Sequence, residues 1–317
     1  MVRLRIKLLV GLVLVIAACG EADADGPQAG AEDSGLLVVA TTNILGDVVG
    51  EIVGDAGRVE VIVGPGVDPH DFQPSAADAE LLRTADLVVA NGLGLEGDLV
   101  DVIEAAEGDG ANVVEIADQL DPIPFAEDAH EEEEEDEHGD EDPHVWQDPV
   151  RMIDGLGLIA AALTELDTDH PAGGWQERAD AYAAEIQAVH ETNETVLAAV
   201  PEERRKLVTN HEAFGYFADR YGFEIVGTVI PGGSTLAEPS AADLADLVHE
   251  IEEEGVPAIF VENTDPGRLA EVLSAELGGE IGVFELFSDS LGEPGSGADT
   301  YLGLIESNAR IVAEALG

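Results

Sequence analysis

Residues 36–54, LLVVATTNILGDVVGEIVG, decide the fold. The first six form an unbroken apolar run, which is typical of a parallel strand buried on both faces. Asn43 is then expected to cap a helix, because apolar residues recur at helical spacing from Ile44 to Ile52 and Gly54 ends the pattern. A buried strand that leads directly into an amphipathic helix predicts an α/β unit.

The same alternation of strands and helices is predicted for most of the chain. Further strands are expected at 59–63, 86–91, 112–116, 206–209, 224–230, 258–262 and 281–286. Helices are expected at 75–85, 96–106, 212–221, 240–254, 266–277 and 300–316, with Ser75 and Ser240 as N-caps of two of them. Strict alternation of this kind favours parallel sheets that are flanked by helices.

The middle of the chain lacks strand patterns. A helix is predicted at 150–166, and a second, unusually long one at 169–200, where residues with high helix propensity dominate. We therefore expect an N-terminal α/β lobe at 36–168 and a C-terminal α/β lobe at 201–317, joined by one stiff helix. Ligand sites in open parallel sheets lie at the carboxyl ends of strands, so a cleft between the lobes is the expected binding site.

The N-terminus has the pattern of a bacterial lipoprotein signal. Three basic residues among the first seven precede the apolar run 8–18, which is too short to span a bilayer. Ile-Ala-Ala-Cys, ending at Cys19, resembles a lipobox, in which cleavage precedes a cysteine that then receives lipid. We predict a signal peptide at 1–18, a flexible tether at 19–35 and a protein anchored outside the cell membrane. The alternative is an ordinary signal peptide with an incidental cysteine.

The charge balance is strongly acidic. The 317 residues include 68 Asp and Glu against 13 Lys and Arg, for a formal net charge of -55. Nucleic acid is an unlikely class of partner for such a chain, because few basic groups are present to neutralise phosphates. The surface attracts cations and needs salt to screen its self-repulsion. A salt-loving host and a GC-rich coding bias both account for this composition.

Three histidines and one aspartate occupy comparable places in the predicted architecture. The tripeptide Asp-Pro-His occurs twice and ends at His70 and His144, and proline restricts the backbone before each histidine. His211 follows the first strand of the second lobe, and Asp289 follows its last strand. Three imidazoles and a carboxylate suit zinc; imidazole also binds copper and nickel, whereas Mn²⁺ usually takes more oxygen ligands. The alternative for each residue alone is an ordinary hydrogen-bonded loop position.

A conspicuous acidic loop, 126–142, leads into the second Asp-Pro-His. Residues 127–142 contain 12 acids among 16 residues, together with His130 and His138. One interpretation is an accessory, low-affinity segment that raises the local metal concentration beside the tight site. The other is a self-repelling loop that is merely solvated.

Six segments together give the chain a specific resemblance to a known family. They are ATTNILGD at 40–47, GPGVDPHDFQPS at 64–75, ADLVVANGLGLE at 85–96, DPHVWQDP at 142–149, NHEAFGYFA at 210–218 and FSDS at 287–290. In these segments, and in their order, the chain resembles the metal-specific solute-binding proteins that serve ABC importers for zinc and manganese. The resemblance extends over nearly all of the chain that follows the predicted tether.

The resemblance implies a fold of two α/β lobes joined by one long helix. It also implies that His70, His144, His211 and Asp289 are the metal ligands. Manganese members typically have glutamate at the third position, so His211 favours zinc, and zinc members often carry a charged loop before the second ligand. Two departures are that this loop has more acid than histidine, and that the single cysteine excludes the C-terminal disulfide of some zinc members.

The sequence therefore predicts a monomeric, extracytoplasmic Zn²⁺-binding lipoprotein that delivers the ion to a cognate ABC permease. The stiff helix predicts a small closure of the lobes on binding. The same architecture with Mn²⁺ or Fe²⁺ as cargo is the main alternative. A surface adhesin is another, although the sequence offers no patch for it. A zinc hydrolase is disfavoured, because His-Glu-x-x-His is absent and four protein ligands leave no open metal position.

Overall fold

The computed structural model describes residues 35–125, 141–166, 174–264, 268–279 and 281–317. Residues Gly35–Gly317 form one compact unit. Cys19, His130 and His138 lie outside the described residues, so their predicted roles stay predictions.

Four parallel strands form the first sheet. They are β1 (Leu36–Thr42), β2 (Gly57–Val63), β3 (Leu87–Ala90) and β4 (Val113–Glu115), and their order in the sheet is β2-β1-β3-β4. The connecting helices are α1 (Asn43–Val53), α2 (Ala76–Thr84) and α3 (Leu99–Gly108). The central strands β1 and β3 are buried, which is why their sequences are apolar on both faces.

Two further helices lie in the middle of the chain, α4 (Pro149–Leu166) and α5 (Trp175–Leu197). The strands that follow form two parallel pairs, β5 (Lys206–Thr209) with β6 (Glu224–Thr228), and β7 (Ala258–Glu262) with β8 (Gly282–Leu286). Strands β5 and β7 lie side by side. The remaining helices are α6 (Gly215–Tyr221), α7 (Ala241–Glu254), α8 (Arg268–Glu276) and α9 (Tyr301–Leu316). The predicted fold class, α/β with parallel sheets flanked by helices, is confirmed.

The period-2 alternation of β1 separates two apolar cores. Val38 and Ala40 belong to the core that includes α1 and α4, whereas Val39 belongs to the core with Leu82 of α2 and Leu99 of α3. Apolar burial contributes about 25 cal/mol per Å², so packing on both faces stabilises this sheet.

The long helix α5 covers 23 residues and packs against α4 and α9. The sequence predicts this helix at 169–200; residues 167–173 lie outside the described part, and the helix ends at Leu197. Helix α9 also packs on both halves of the chain, a role that its sequence pattern does not predict. Its start, at Tyr301 and Leu304, packs in the core of the first sheet, and its end, at Val312 and Leu316, packs in the core of the later strands. The domain boundaries themselves stay predictions.

Two of the predicted helix caps are confirmed by the structure, and one is wrong. Ser75 and Ser240 each cap a helix in a capping box with an aspartate three residues later. The prediction that Asn43 caps α1 is wrong: the hydroxyl of Thr42 accepts the hydrogen bond from the backbone N–H of Leu45, and Asn43 is the first helical residue. The side chain of Asn43 makes tertiary hydrogen bonds instead.

Within the described ranges of the chain, no helix is both long enough and apolar enough to cross a membrane.

Candidate metal centre

The structure brings the four predicted site residues together. His70 lies in the loop after β2, His144 directly precedes a short 3-10 turn at Val145–Gln147, His211 follows β5, and Asp289 follows β8. All four are buried, with exposed fractions of 6% for His70, 0% for His144 and His211, and 1% for Asp289. The site therefore forms where strand ends from both halves of the chain meet, as expected for parallel sheets.

The Nε2 atoms of the three imidazoles converge. Nε2 of His144 lies 3.3 Å from Nε2 of His70 and 3.2 Å from Nε2 of His211. Two ligands of a tetrahedral zinc ion with bonds of about 2.0–2.1 Å stand about 3.3–3.4 Å apart. The two distances from His144 thus match two edges of such a tetrahedron.

Asp289 completes the group. Its Oδ2 lies 3.5 Å from Nε2 of His211 and 3.8 Å from Nε2 of His70, and its Oδ1 lies 3.7 Å from Nε2 of His144. One ligand atom from each of the four residues can be chosen so that all lie within 4.8 Å of one another. Both carboxylate oxygens are buried and have no hydrogen-bond partner among the described residues. A buried carboxylate without partners is costly, and a cation in this position would remove the cost.

The imidazoles of His144 and His211 each contact a carboxylate through Nδ1, the ring nitrogen that does not face the other ligands. Nδ1 of His144 lies 2.7 Å from Oδ1 of Asp142, and Nδ1 of His211 lies 2.6 Å from Oε1 of Glu262. When Nδ1 donates its proton to a carboxylate, the lone pair of Nε2 is directed away from that partner and can bind a metal. These contacts set both the tautomer and the orientation of the rings.

The two Asp-Pro-His tripeptides form the same turn. The backbone N–H of His70 donates to Oδ1 of Asp68, and that of His144 donates to Oδ1 of Asp142, both at 2.9 Å. An aspartate that accepts a hydrogen bond from the residue two positions later is an Asx turn, and proline between them restricts it further. The repeated tripeptide is thus a rigid support for a histidine.

Further contacts support the loop of His144. Asn91 follows β3, and its Nδ2 donates to the carbonyl oxygen of Pro143 at 2.9 Å. The buried side chain of Glu96 accepts from the backbone N–H of Asn91 at 2.7 Å and from the hydroxyl of Thr41 at 2.8 Å. The segments ATTNILGD and ADLVVANGLGLE therefore contribute to placing this ligand.

The electrostatics of the site favour a cation. Burial raises the pKa of Asp142 to about 7 and the pKa of Asp289 well above its ordinary value. Burial, together with the charge of His211, holds the pKa of His144 well below its ordinary value. Burial also acts to lower the pKa of His211, but the charges of Glu262 and Asp289 outweigh it and raise that pKa to about 10. The pair of His211 and Asp289 therefore holds a proton that a metal ion would displace.

Sequence reasoning missed the residues that hold the imidazoles. The signal for Asp142 and Asp68 was the repeated Asp-Pro-His, in which only the histidines were considered as site residues. No local signal identified Glu262, which ends strand β7 and is 51 residues from His211. Its role follows only from the placement of β7 beside β5.

The chain matches known proteins over almost its whole length. The family model described as zinc-uptake complex component A, periplasmic (ZnuA), matches residues 38–315. The zinc-binding protein TroA of Treponema pallidum is 33% identical over 306 residues, which cover 94% of each chain. The manganese-binding lipoprotein MntA of Halalkalibacterium halodurans is 31% identical over 301 residues, which cover 95% of this chain and 94% of the relative.

A solved structure supports the same relationship. The periplasmic zinc-binding protein TroA from Treponema pallidum superposes with a TM-score of 0.78 at 31% identity, covering 89% of this chain and 99% of that one. Members of this family are solute-binding transport proteins. The chain belongs to the zinc-uptake complex component A family, the extracytoplasmic metal-binding components of ABC uptake systems.

Proposed function

We propose that this protein binds Zn²⁺ through His70, His144, His211 and Asp289 and delivers the ion to the permease of an ABC importer. The observation that carries the proposal is the buried convergence of three Nε2 atoms on a carboxylate whose oxygens have no hydrogen-bond partner among the described residues. Zinc is the cargo here, and it is bound without chemical change. The family relationship supports the role of the permease.

The set of donor atoms favours zinc over manganese. Three imidazole nitrogens and one carboxylate are a ligand set of Zn²⁺ sites, and the two Nε2–Nε2 distances of 3.3 and 3.2 Å fit a tetrahedral zinc ion. Mn²⁺ prefers sites with more oxygen. The names of the relatives include both a zinc-binding and a manganese-binding protein, so the proposal rests on this chain's own ligands.

The proposal includes the position of the protein in the cell. The lipobox-like sequence supports a lipid on Cys19, which would hold a monomer at the outer face of the cell membrane. Release of zinc to the permease would follow a slight separation of the strand ends that carry the ligands. Helices α5 and α9 oppose a large separation, because they pack together and α9 contributes to the cores on both sides.

Isothermal titration of the metal-free protein with Zn²⁺ tests the ligand set. We expect one tight site in the unmodified protein and a loss of at least about 100-fold in affinity for His211→Ala, because one of four bonds to the metal is removed. The matched control is His249→Ala. The side chain of His249 is 76% exposed and pairs only with Glu253 on helix α7 among the described residues. Full affinity in His211→Ala would overturn the assignment.

Manganese is the second candidate cargo, and one observation favours it. Both oxygens of Asp289 face the imidazoles, so the site can offer three nitrogens and two oxygens. The metal content of the protein purified from its own host separates the two candidates, because Zn²⁺ outcompetes Mn²⁺ at most nitrogen-containing sites in a titration, whichever ion is the cargo. We expect zinc; manganese in its place would make manganese the cargo and leave the site residues unchanged.

A further inference from the structure

Asn43 lies at the carboxyl end of β1, and its side chain is almost fully buried, with an exposed fraction of 4%. It belongs to the segment ATTNILGD, and it neither caps its own helix nor belongs to the metal ligands. A buried amide has to satisfy two donors and an acceptor, so its partners show what it does.

The amide nitrogen of Asn43 holds the start of the loop that carries His70. Nδ2 donates to the carbonyl oxygens of Val63 and Gly64, at 3.3 and 3.2 Å. Val63 is the last residue of β2, so these two bonds fix the point at which the chain leaves the sheet for the His70 loop.

The amide oxygen of the same side chain holds the segment that follows Asp289. Oδ1 accepts the backbone N–H of Leu291 at 2.7 Å and lies 3.4 Å from the hydroxyl of Ser290. Asn43 thus joins the start of the His70 loop to the segment after Asp289, whose Ser290 and Leu291 lie 247 and 248 residues beyond Asn43 in the chain.

A direct bond between the two loops reinforces this link. The backbone N–H of Gly66 donates to the hydroxyl of Ser290 at 2.7 Å. Gly66 has φ 74°, in the left-handed region that glycine adopts without strain, and this turn points its N–H toward Ser290. We call the group formed by Asn43, Gly64, Gly66, Ser290 and Leu291 the Asn43 bridge.

We propose that Asn43 is a positioning residue that holds His70 and Asp289 together through the Asn43 bridge and thereby slows dissociation of the metal. The inference rests on the proposed function. His144 and His211 have buried carboxylate partners of their own, Asp142 and Glu262. Asp289 has no hydrogen-bond partner for its carboxylate among the described residues, so its position depends on its backbone. Asn43 fixes that backbone two residues further on.

The test is the rate of Zn²⁺ dissociation from the full chain, measured by stopped flow with an excess of a chromogenic chelator. Asn43→Leu has a similar volume and removes every hydrogen bond of the amide. We expect dissociation to be about tenfold faster, comparable with the loss of other groups that orient metal ligands. Ser290→Ala leaves the amide of Asn43 in place and removes the bonds of the hydroxyl, from Gly66 and to Oδ1 of Asn43 and the carbonyl oxygen of Leu291. We expect a smaller acceleration of about threefold, less than the loss of a complete orienting group. Should Asn43→Leu fail to fold, Ser290→Ala decides the question.

The control is Ile103→Ala. Ile103 is a buried residue of α3 in the core that contains Leu82 and Leu99, and it belongs neither to the Asn43 bridge nor to the packing of α5 against α9. We expect it to lower the thermal stability without changing the rate of zinc dissociation. An equal acceleration in this control would mean that Asn43 acts only through general stability.

A double-mutant cycle with Asp289→Ala identifies the route of the effect. If Asn43 acts by placing Asp289, Asn43→Leu adds little to Asp289→Ala, because the group that it positions is already gone. Independent, multiplicative effects of the two substitutions would overturn the proposal, as would an unchanged rate in Asn43→Leu. Absence of a tight zinc site in the unmodified protein would instead refute the proposed function, so the two failures are distinguishable.

Discussion

Oε1 of Glu262 lies 2.6 Å from Nδ1 of His211 and 3.2 Å from the backbone nitrogen of the same residue. One buried carboxylate oxygen thus holds both the ring and the main chain of a candidate ligand. The other oxygen of Glu262 accepts from the hydroxyl of Ser288 at 2.8 Å, next to Asp289. Glu262 therefore connects two of the four candidate ligands.

Substitution of Glu262 by Gln should weaken zinc binding. Gln has nearly the same shape as Glu, so the substitution changes mainly the charge of the side chain. The neutral amide no longer increases the basicity of the His211 imidazole, and its NH₂ group can turn toward Nδ1. We expect a loss of about 10–100-fold in Zn²⁺ affinity, measured by competition with a chelator. Glu253→Gln, at an exposed position on α7, is the control and should bind as the unmodified protein does. Unchanged affinity in Glu262→Gln would show that the contact does not support the metal.

Metal binding should release a proton. In the metal-free protein the pKa of His211 is raised to about 10 by the charges of Glu262 and Asp289, against the effect of burial. A metal on Nε2 requires the neutral imidazole, so the apparent affinity should fall as the pH falls. Calorimetric titrations at pH 7.5 in two buffers with different ionisation enthalpies should give about one proton released per Zn²⁺. Release of no proton would contradict the paired state of His211 and Asp289.

Asp148 should control the acid stability of the fold. Its buried carboxylate accepts from Nε of Arg220 at 2.8 Å and from Nη1 of Arg151 at 2.6 Å. Burial opposes ionisation, but the two arginines outweigh it and hold the pKa of Asp148 below its ordinary value. Since the folded-state pKa lies below the unfolded one, the stabilisation is present above the unfolded value of about 3.9 and is lost as the pH falls through the folded value.

The substitution Asp148→Asn tests this relationship by urea unfolding between pH 3 and 7. We expect the variant to lose about 2–3 kcal/mol of unfolding free energy at neutral pH and to show a weaker dependence on acid, because the charged partner of two arginines is removed. Asp219→Asn is the control, since its side chain is 63% exposed and 3.8 Å from Arg151. The prediction would be refuted if the free energy of unfolding fell by the same amount between pH 7 and pH 3 in Asp148→Asn and in the unmodified protein.

Replacement of residues 128–140 by two glycines should leave the tight metal site intact. The ends of this segment are held independently of it, by the bridge between Pro124 and Glu141 and by the 2.8 Å bond from the backbone N–H of Asp142 to the carbonyl oxygen of Ile123. We expect calorimetry to show one tight Zn²⁺ site and fewer weak ones, because the removed residues include nine acids and two histidines. Loss of the tight site would mean that the segment carries a primary ligand.

Local patterns were sufficient to predict most elements of the fold. The apolar run of β1 and the serine caps of α2 and α7 depend on neighbouring residues only, and both agree with the structure. Asn43 shows where this reasoning ends. An asparagine before a helical pattern is a common cap, but here its amide has better partners in loops far along the chain, and Thr42 caps the helix instead.

The sequence by itself determined which residues stand at the carboxyl ends of strands and which chemical groups they bring. It could therefore predict three imidazoles and a carboxylate as a site. Only the tertiary structure decided that Nε2 of His144 lies within 3.3 Å of two other imidazole nitrogens, from residues 74 and 67 positions away. It also placed Glu262 against His211, and Asn43 between the end of β2 and the segment after Asp289. The physical reason is range: a local pattern reports contacts within a few residues, whereas these distances depend on the order of the strands and on the packing of side chains that meet only when the chain has folded.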